Sequence, residues 1–389
     1  MLKLFKEPQS FIYSVNPGGK YIASFLCVSD NEQQHNAGIV SIKFIGVEPA
    51  LIKNKEIGLF QSETEGFWFY ISSESGRKRN RKEFSIPKGC RTIKLEVKDW
   101  NVRGSMYLSQ DFELTAYNDE HESNSFKNKI RARMAGKESA DCKNILSALD
   151  NKNQAYDFAF SHGFKVPHKL AQWDSLESID FDLLPSKFVF KPLWAHTNKG
   201  VFIIEKIDNG KFFDRMRNKF FSFDEIKSEL LKDLQSINVN SNHYFAEELL
   251  VDAHNQEIPM DYRVYSFFGK VGMIMQRNLK GSSNPNDWKF KFYNRNWDDL
   301  GKIKFAGRVD CNLPKPVHHD AMIKYAEALS SLIKVPFIRV DLYDTPNGIV
   351  LGELTPTPGG YDQYDFTTDQ TLGEYWNQAN IRLKNNFSN

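Results

Sequence analysis

The sequence predicts a two-part chain: an all-β, sandwich-like domain followed by a larger α+β domain in which strand pairs dominate. Three observations carry this. Residues 1–117 alternate short apolar runs with turn clusters. Residues 118–150 turn polar and charged. Beyond them, helical periodicities and β-type runs interleave.

In the first part, "FIYSV", "YIASFLCVS", "GIVSIKFIGV", "GFWFYIS", "TIKLEVKDW" and "SMYLSQDFELTA" read as strands, separated by clusters such as "NPGG" and "PKG". "TIKLEVKDW" puts Ile93, Leu95 and Val97 on one face and Lys94, Glu96 and Lys98 on the other. Short antiparallel strands at this spacing favour a β-sandwich. In "GFWFYIS", Trp68 and Tyr70 share one face and Phe67, Phe69 and Ile71 the other. Either face suits a core. Trp68, Tyr70 and Trp100 are alternatively flat platforms for a carbohydrate. The basic run "RKRNRK", Arg77 to Lys82, reads as a solvated loop or, more sharply, as a contact for an acidic polymer.

Residues 118–150 read as a linker with some helix, and residues 151–389 as the second domain. There "NKNQAYDFAFSHGFKVP" is a short helix with Ala155, Phe158 and Ala159 on one face, stopped at Gly163. "SKFVFKP" and "GVFIIEK" are strands. "SFDEIKSELLKDL" opens with a capping box, Ser222 and Glu225, and so begins a helix. "YFAEELL", "DYRVYSFFGKVGMIMQRN", "PFIRVDLYD" and "GIVLGEL" are strands or hairpins, and "DAMIKYAEALSSLIK" carries a helical stripe of Met322, Tyr325, Ala326, Leu329 and Ile333.

Composition sets outer limits. The chain has 389 residues, enough for two or three domains, with 51 Lys and Arg against 49 Asp and Glu. A net charge of +2 gives no general reason to expect nucleic acid as a partner. The cysteines Cys27, Cys90, Cys142 and Cys311 are widely spaced, which points away from a zinc site or a disulfide framework. No run of 18 apolar residues occurs, and "MLKLFKEPQS" lacks the apolar stretch of a secretory leader. The expectation is a cytoplasmic protein without an integral membrane segment; a role at the inner membrane face is left open.

The chemistry concentrates near the end of the chain. "FIRVDLYD" and "GIVLGELT" are joined by "TPNG", a strong turn signal. Pairing them antiparallel about Asn347 sets Asp341 opposite Glu353 and Arg339 opposite Thr355, with Ile338, Val340, Leu342, Val350 and Leu354 on the other face. Two carboxylates about 5 Å apart repel unless protonated or bridged by a cation. Mg²⁺ accepts such a site, completing its shell with water and substrate phosphates. The plain alternative is a solvated hairpin. Lys191 ends the apolar run "FVFK" before the polar loop "LWAHTNKG", where it can meet phosphate or simply reach solvent. In "YFAEELL", one of Glu247 and Glu248 faces outward by alternation and can accept from ribose hydroxyls.

The ordered strings "FKP…G", "EELL", "DYRVYSFFGKV", "RVDLY" and "GELTPTPGG" resemble the ATP-grasp superfamily, and within it the TupA-like branch named for teichuronopeptide biosynthesis. The likeness covers roughly residues 150–380. It implies an ATP-grasp fold in the C-terminal two thirds, with ATP and Mg²⁺ as cofactors. By resemblance, Lys191 and, less closely, Lys152 contact phosphates. Glu247, Glu248, Leu249 and Leu250 form the adenine hinge, with Glu248 toward ribose. Arg263 and Arg277 are basic site residues, and Arg339 meets the developing oxyanion. Asp341 and Glu353 are the metal carboxylates. Thr355 stands where many ATP-grasp ligases have Asn, as it does in the TupA-like branch. After Lys191 the loop has one glycine, Gly200, where relatives often have several. Coverage of the phosphates then falls to His196, Thr197 or Asn198.

The activity so implied is an ADP-forming carboxylate–amine ligase of surface polysaccharide or capsule assembly, joining an amino acid or amino sugar to a uronic acid through an acyl phosphate. Its substrates would be sugar- or polysaccharide-linked. The rival readings are an ATP-grasp phosphotransferase and a nucleotide-dependent scaffold without turnover.

Overall fold

The computed structural model describes residues 3–4, 9–29, 35–73, 76–99, 106–108, 112–117, 121, 123–194, 199–207, 210–239 and 241–387. The chain divides into two compact units, Met1–Ser123 and Asn124–Asn389.

The first unit is built from two antiparallel sheets. One runs in the order Gln9–Ser14, Thr92–Asp99, His35–Ile45, Gly66–Ser73, Phe60–Ser62. In the other, Lys20–Ser29 is flanked by Glu113–Ala116, Met106–Leu108 and Gly76–Ser85. One apolar core draws on both sheets, with Phe25, Val40, Ile42, Phe69, Leu95 and Val97 at its centre. That shared core makes the unit a sandwich. It also settles the open face of Gly66–Ser73: Phe67, Phe69 and Ile71 are buried in it. Trp68 and Tyr70 stand on the outer face beside Phe60, with ring centroids 4.9 Å (Phe60–Trp68) and 4.6 Å (Trp68–Tyr70) apart. Trp100 lies outside the described residues.

One expectation is corrected here. The basic run Arg77 to Lys82 is not a loop but the middle of the strand Gly76–Ser85, paired residue by residue with Lys20–Ser29. A ten-residue antiparallel partner supplies the ladder hydrogen bonds, and this outweighs the low strand propensity of charged residues.

The second unit begins earlier than the composition suggests. Residues 124–150, read as part of a linker with some helix, contribute the helices Phe126–Met134 and Ala140–Asp150 to it. Phe126 and Ile130 are fully buried in its aromatic core with Phe337 and Trp376. The helix Lys152–Ser161 follows, capped by the Asn151 side chain and ended by Gly163 at φ 81°. Its buried face is Ala155, Tyr156 and Ala159; Phe158 is only half-buried.

Two antiparallel sheets organise this unit. The first orders its strands Lys169–Trp173, Tyr244–Glu248, Lys187–Pro192, Phe202–Ile207, Lys211–Asp214, Lys219–Phe221. The helix Phe223–Ser236, opened by the Ser222–Glu225 capping box, packs Ile226, Leu230 and Leu234 onto it. The second sheet orders Lys289–Tyr293, Val271–Asn278, Asp261–Ser266, Ile338–Thr345, Gly348–Thr355. One face of it buries Tyr262, Val264, Val340 and Leu342 against Met322, Ala326 and Leu329 of the helix His319–Leu332.

The last hairpin departs from simple symmetry about Asn347. Asp341 opposes Glu353 and Arg339 opposes Thr355, but Leu342 opposes Leu351 and Tyr343 opposes Val350. Val350, expected on the face of Ile338, Val340 and Leu342, therefore leaves it, and Leu351 takes its place. The extra residue is Gly352, a β-bulge in the returning strand. A Cβ at Gly352 would stand 2.6 Å from Tyr343 Cε2, so the bulge requires glycine. Without that residue, Glu353 would slip to the other face.

Candidate functional site

Strand alternation places Arg339 and Asp341 on the face of the second sheet opposite the helix His319–Leu332. Register brings Arg263 beside Asp341, and Asp261 beside Arg277. The result is a row of buried charges. Arg339 donates from Nε and Nη2 to the two Asp341 oxygens, each at 2.6 Å, and from Nη2 to Thr355 Oγ1 at 2.8 Å. Arg277 forks onto Asp261 at 2.9 and 2.7 Å. Arg263 Nε donates to Asp261 at 3.1 Å and lies 3.8 Å from Asp341.

Electrostatics follow the pairing. Burial works against the Arg339 guanidinium, but Asp341 overrides it and raises its pKa above the usual arginine value. Burial likewise pulls Asp261 upward, yet Arg277 and Arg263 hold its carboxyl below the ordinary range. One carboxylate thus serves two guanidiniums. Asp341 is pushed up, first by burial and also by Glu353, against the opposing pull of Arg339 and Arg263.

The first sheet contributes Lys191, buried at the end of its strand. Its ammonium donates to Glu247 Oε1 at 2.5 Å and lies 5.1 Å from the Phe245 ring centre. Tyr156 joins the two sheets: its hydroxyl lies 3.2 Å from Glu247 Oε2 and 2.9 Å from the Gly352 carbonyl. Lys152 lies one helical turn before Tyr156 and reaches the Leu193 carbonyl at 3.4 Å. Burial lowers its pKa, reinforced by Lys191 and opposed by Glu353.

The structure therefore brings together Lys152, Lys191 and Glu247 on one side, and Arg263, Arg277, Arg339, Asp341, Glu353 and Thr355 on the other. The hinge residues sit differently from one another. Glu247 points inward, as the counter-ion of Lys191. Glu248 is exposed and accepts from the His168 backbone at 2.8 Å, while Leu249 and Leu250 follow the strand end. His196, Thr197 and Asn198 lie outside the described residues.

Three residues escaped sequence reasoning. Asp261 is the shared counter-ion of two arginines; its signal was the spacing to Arg263, two residues on and hence on the same strand face. Tyr156 had the signal of helical spacing from Lys152. Lys304 had none. It is buried, donates to the Gly360 carbonyl at 2.6 Å, and lies 4.5 Å from the Tyr364 ring centre. Burial, with Arg263 and Arg339 nearby, pushes its pKa down to about 7.

Asp341 and Glu353 are donors of the kind a magnesium ion takes, with both Asp341 oxygens also accepting from Arg339. Asp341 and Glu353 are cross-strand neighbours, and Glu353 has no ion pair among the described residues. Mg²⁺ takes one or two carboxylates and leaves its other positions to water and phosphate. The Thr355 hydroxyl is engaged by Arg339, so it supports the arginine first.

A pair of antiparallel sheets, one offering a buried lysine and the other a carboxylate pair backed by arginines, defines an ATP-grasp fold. The chain belongs to the TupA-like ATPgrasp family, whose model matches residues 128–377. Among solved structures, it is similar to D-alanine–D-alanine ligase from Bacillus anthracis at 15% identity and a TM-score of 0.38, over 61% of this chain and 69% of that one. The corresponding Helicobacter pylori ligase shares 17% identity at a TM-score of 0.34; the match spans 59% of this chain but only 58% of that ligase's length. The ATP-grasp ligase PsnB, complexed with a phosphomimetic variant of its minimal precursor, Mg and ADP, is similar at 12% identity and a TM-score of 0.34, over 60% of each chain. No curated protein matches.

Proposed function

We propose that the chain is an ADP-forming, ATP-dependent carboxylate–amine ligase of surface polysaccharide assembly or modification. One observation carries the reading most. Arg339 is clamped by Asp341 and Thr355 through Nε and Nη2, which leaves Nη1 without a hydrogen-bond partner among the described residues. A rigid guanidinium with one free donor edge, beside two carboxylates, suits a charge that appears only during reaction.

The geometry supports the following roles. Lys191, fixed by Glu247, presents a point charge to phosphate oxygens. Arg263 and Arg277 share one carboxylate, so their surplus positive charge also favours phosphate. Asp341 and Glu353 would hold Mg²⁺, which when bound offsets charge on the β- and γ-phosphates. The substrate carboxylate would take the γ-phosphoryl group, releasing ADP. An amine would then attack the acyl carbon and expel phosphate, with Arg339 facing the oxyanion. Lys152 and the segment after Glu248 would complete the nucleotide site. A uronic acid as acyl donor and an amino acid or amino sugar as acceptor suit the branch to which the chain belongs.

The test incubates the protein with Mg-ATP, hydroxylamine and a panel of uronic acids. A hydroxamate with stoichiometric ADP is the expected result. AMP and pyrophosphate, or a stable phosphorylated product, would replace the ligase by another reaction. Arg339→Lys keeps the charge but loses the fork. It should bind Mg-ATP within a few-fold of wild type and turn over ~100-fold more slowly, the usual order for a lost oxyanion donor.

A further inference from the structure

The outer face of the first unit's sheet carries a second constellation, unrelated to the charges above. Alternation fixes its members. With Ile93, Leu95 and Val97 committed to the core, Lys94, Glu96 and Lys98 face outward, and Ser41 and Lys43 join them from the neighbouring strand. They line a groove of about 750 Å³, with the turn Thr64–Gly66 on one side and the segment Gly46–Pro49 on the other.

Two features of this face cost stability as they stand. Lys43 and Lys94 are directly opposed cross-strand partners. Like charges in that position repel. Lys94 is drawn to Glu96 at 3.3 Å, while Lys43 has no ion pair among the described residues. Lys98 is held by Glu65 at 2.9 Å and by Glu96 at 3.4 Å, and Ser41 Oγ donates to Glu65 at 3.3 Å. Glu48 is a further carboxylate of the lining. So Glu65 and Glu96 are engaged by lysines, Glu96 serving both Lys94 and Lys98, while Lys43 faces Lys94 with no ion pair among the described residues. The second feature is the aromatic cluster of Phe60, Trp68 and Tyr70. It stands on the same face, since Ser41 pairs with Trp68 and Phe60 with Trp68. Phe60 remains 51% exposed, a large apolar surface left in water beside an ionic groove.

A ligand that satisfies both features needs a flat, weakly polar face to stack on Trp68, hydroxyls for Glu65, Glu96 and Ser41, and one anionic group for the opposed lysines. We propose that this face binds a carboxylated saccharide, with a uronate carboxylate between Lys43 and Lys94 and a sugar ring on the Trp68 platform. The inference goes beyond the ligase reading and stands on different residues.

The test uses the full chain and short galacturonate oligomers, followed by calorimetric titration. Neutral glucose oligomers of matched length and a single-stranded DNA oligomer serve as comparisons. Binding of the galacturonate alone is expected. It should weaken at least tenfold in the double variant Lys43→Gln, Lys94→Gln, and similarly in Trp68→Ala. Titration of the same variants with Mg-ATP should match wild type, which separates loss of this groove from loss of fold. No binding of the oligomer, or equal binding by the variants, would overturn the proposal. Equal binding of the neutral oligomer would remove the anion seat, and equal binding of DNA would reduce the face to a general polyanion surface.

Discussion

Among the described residues of the first unit, the buried polar side chains are Ser24, Ser41 and Asn80, and no charged side chain is buried. The second unit buries Lys191, Glu247, Asp261, Arg277, Lys304, Arg339 and Asp341. Each such group gives up hydration worth several kcal/mol, which pairing only partly restores. The first unit shows what a core of this protein looks like when stability alone shapes it: Phe, Ile, Leu and Val inside, lysine and glutamate outside. The second departs from that pattern most densely along one face of its second sheet, where the arginines and carboxylates hold one another in place, while Lys191 and Glu247 pair on the first sheet and Arg133, Asp214 and Asp233 are buried elsewhere. Its charges hold one another in fixed positions, the preorganisation that the proposed reaction would use.

The sharpest way to break the comparison is to remove the shared counter-ion. Asp261→Leu would leave Arg263 and Arg277 buried without their main partner. It should destabilise the second unit by roughly 3–5 kcal/mol, the usual cost of breaking a buried ion pair. Urea unfolding of the full chain would show this as an early transition. A loss below ~1 kcal/mol would mean the arginines are hydrated, and the contrast between the units would fall.

Gly352→Ala tests the bulge. Its Cβ would meet the Tyr343 ring at 2.6 Å. Overpacking of this kind costs about 1–3 kcal/mol. Because the bulge sets Glu353 opposite Asp341, the variant should lose Mg-ATP affinity well beyond its loss of stability. Thermal melting beside calorimetric titration separates the two. If affinity falls no further than folding does, the register survives the substitution.

Lys304 gives the second unit a pH signature. Its pKa falls from 10.5 to about 7 on folding. Between these values the unfolded chain holds a proton that the folded chain has released, so stability should rise with pH from about 7 to about 10. Below that window both states are protonated, and the cost of burial is felt in full. Lys304→Met should flatten this slope in denaturant midpoints measured across the range. An unchanged slope would place the titration elsewhere.

The smallest effect belongs to the first unit. Lys43→Gln relieves the repulsion with Lys94 and should stabilise the sandwich by roughly 0.2–1 kcal/mol. The same substitution, destabilising instead, would show that Lys43 has a structural partner and that surface charge here is not free to vary.

How much of this was legible depends on the range of the interaction responsible. The period of two in "FIRVDLYD" and "GIVLGELT", with "TPNG" between them, was enough to align Asp341 with Glu353 and Arg339 with Thr355. Local spacing also gave the Ser222–Glu225 cap and the end of a helix at Gly163. The family lay in the order of short strings that each fit one strand or turn. The tertiary structure alone decided the rest. It chose Phe67, Phe69 and Ile71 over Trp68 and Tyr70 as the core, because the opposite sheet, distant in sequence, covers only one side. It made a strand of Arg77 to Lys82 by giving it Lys20–Ser29 to pair with. It set Glu247 against Lys191 of the neighbouring strand and Tyr156 of a helix, and gave Asp261 two arginines from different strands. Sequence patterning reports which face of an element is apolar. Alternation encodes a pair two residues apart on one strand, as Arg339–Asp341 and Asp261–Arg263 are, but Arg277–Asp261 and Lys191–Glu247 depend on contacts between different strands, and no local period encodes them.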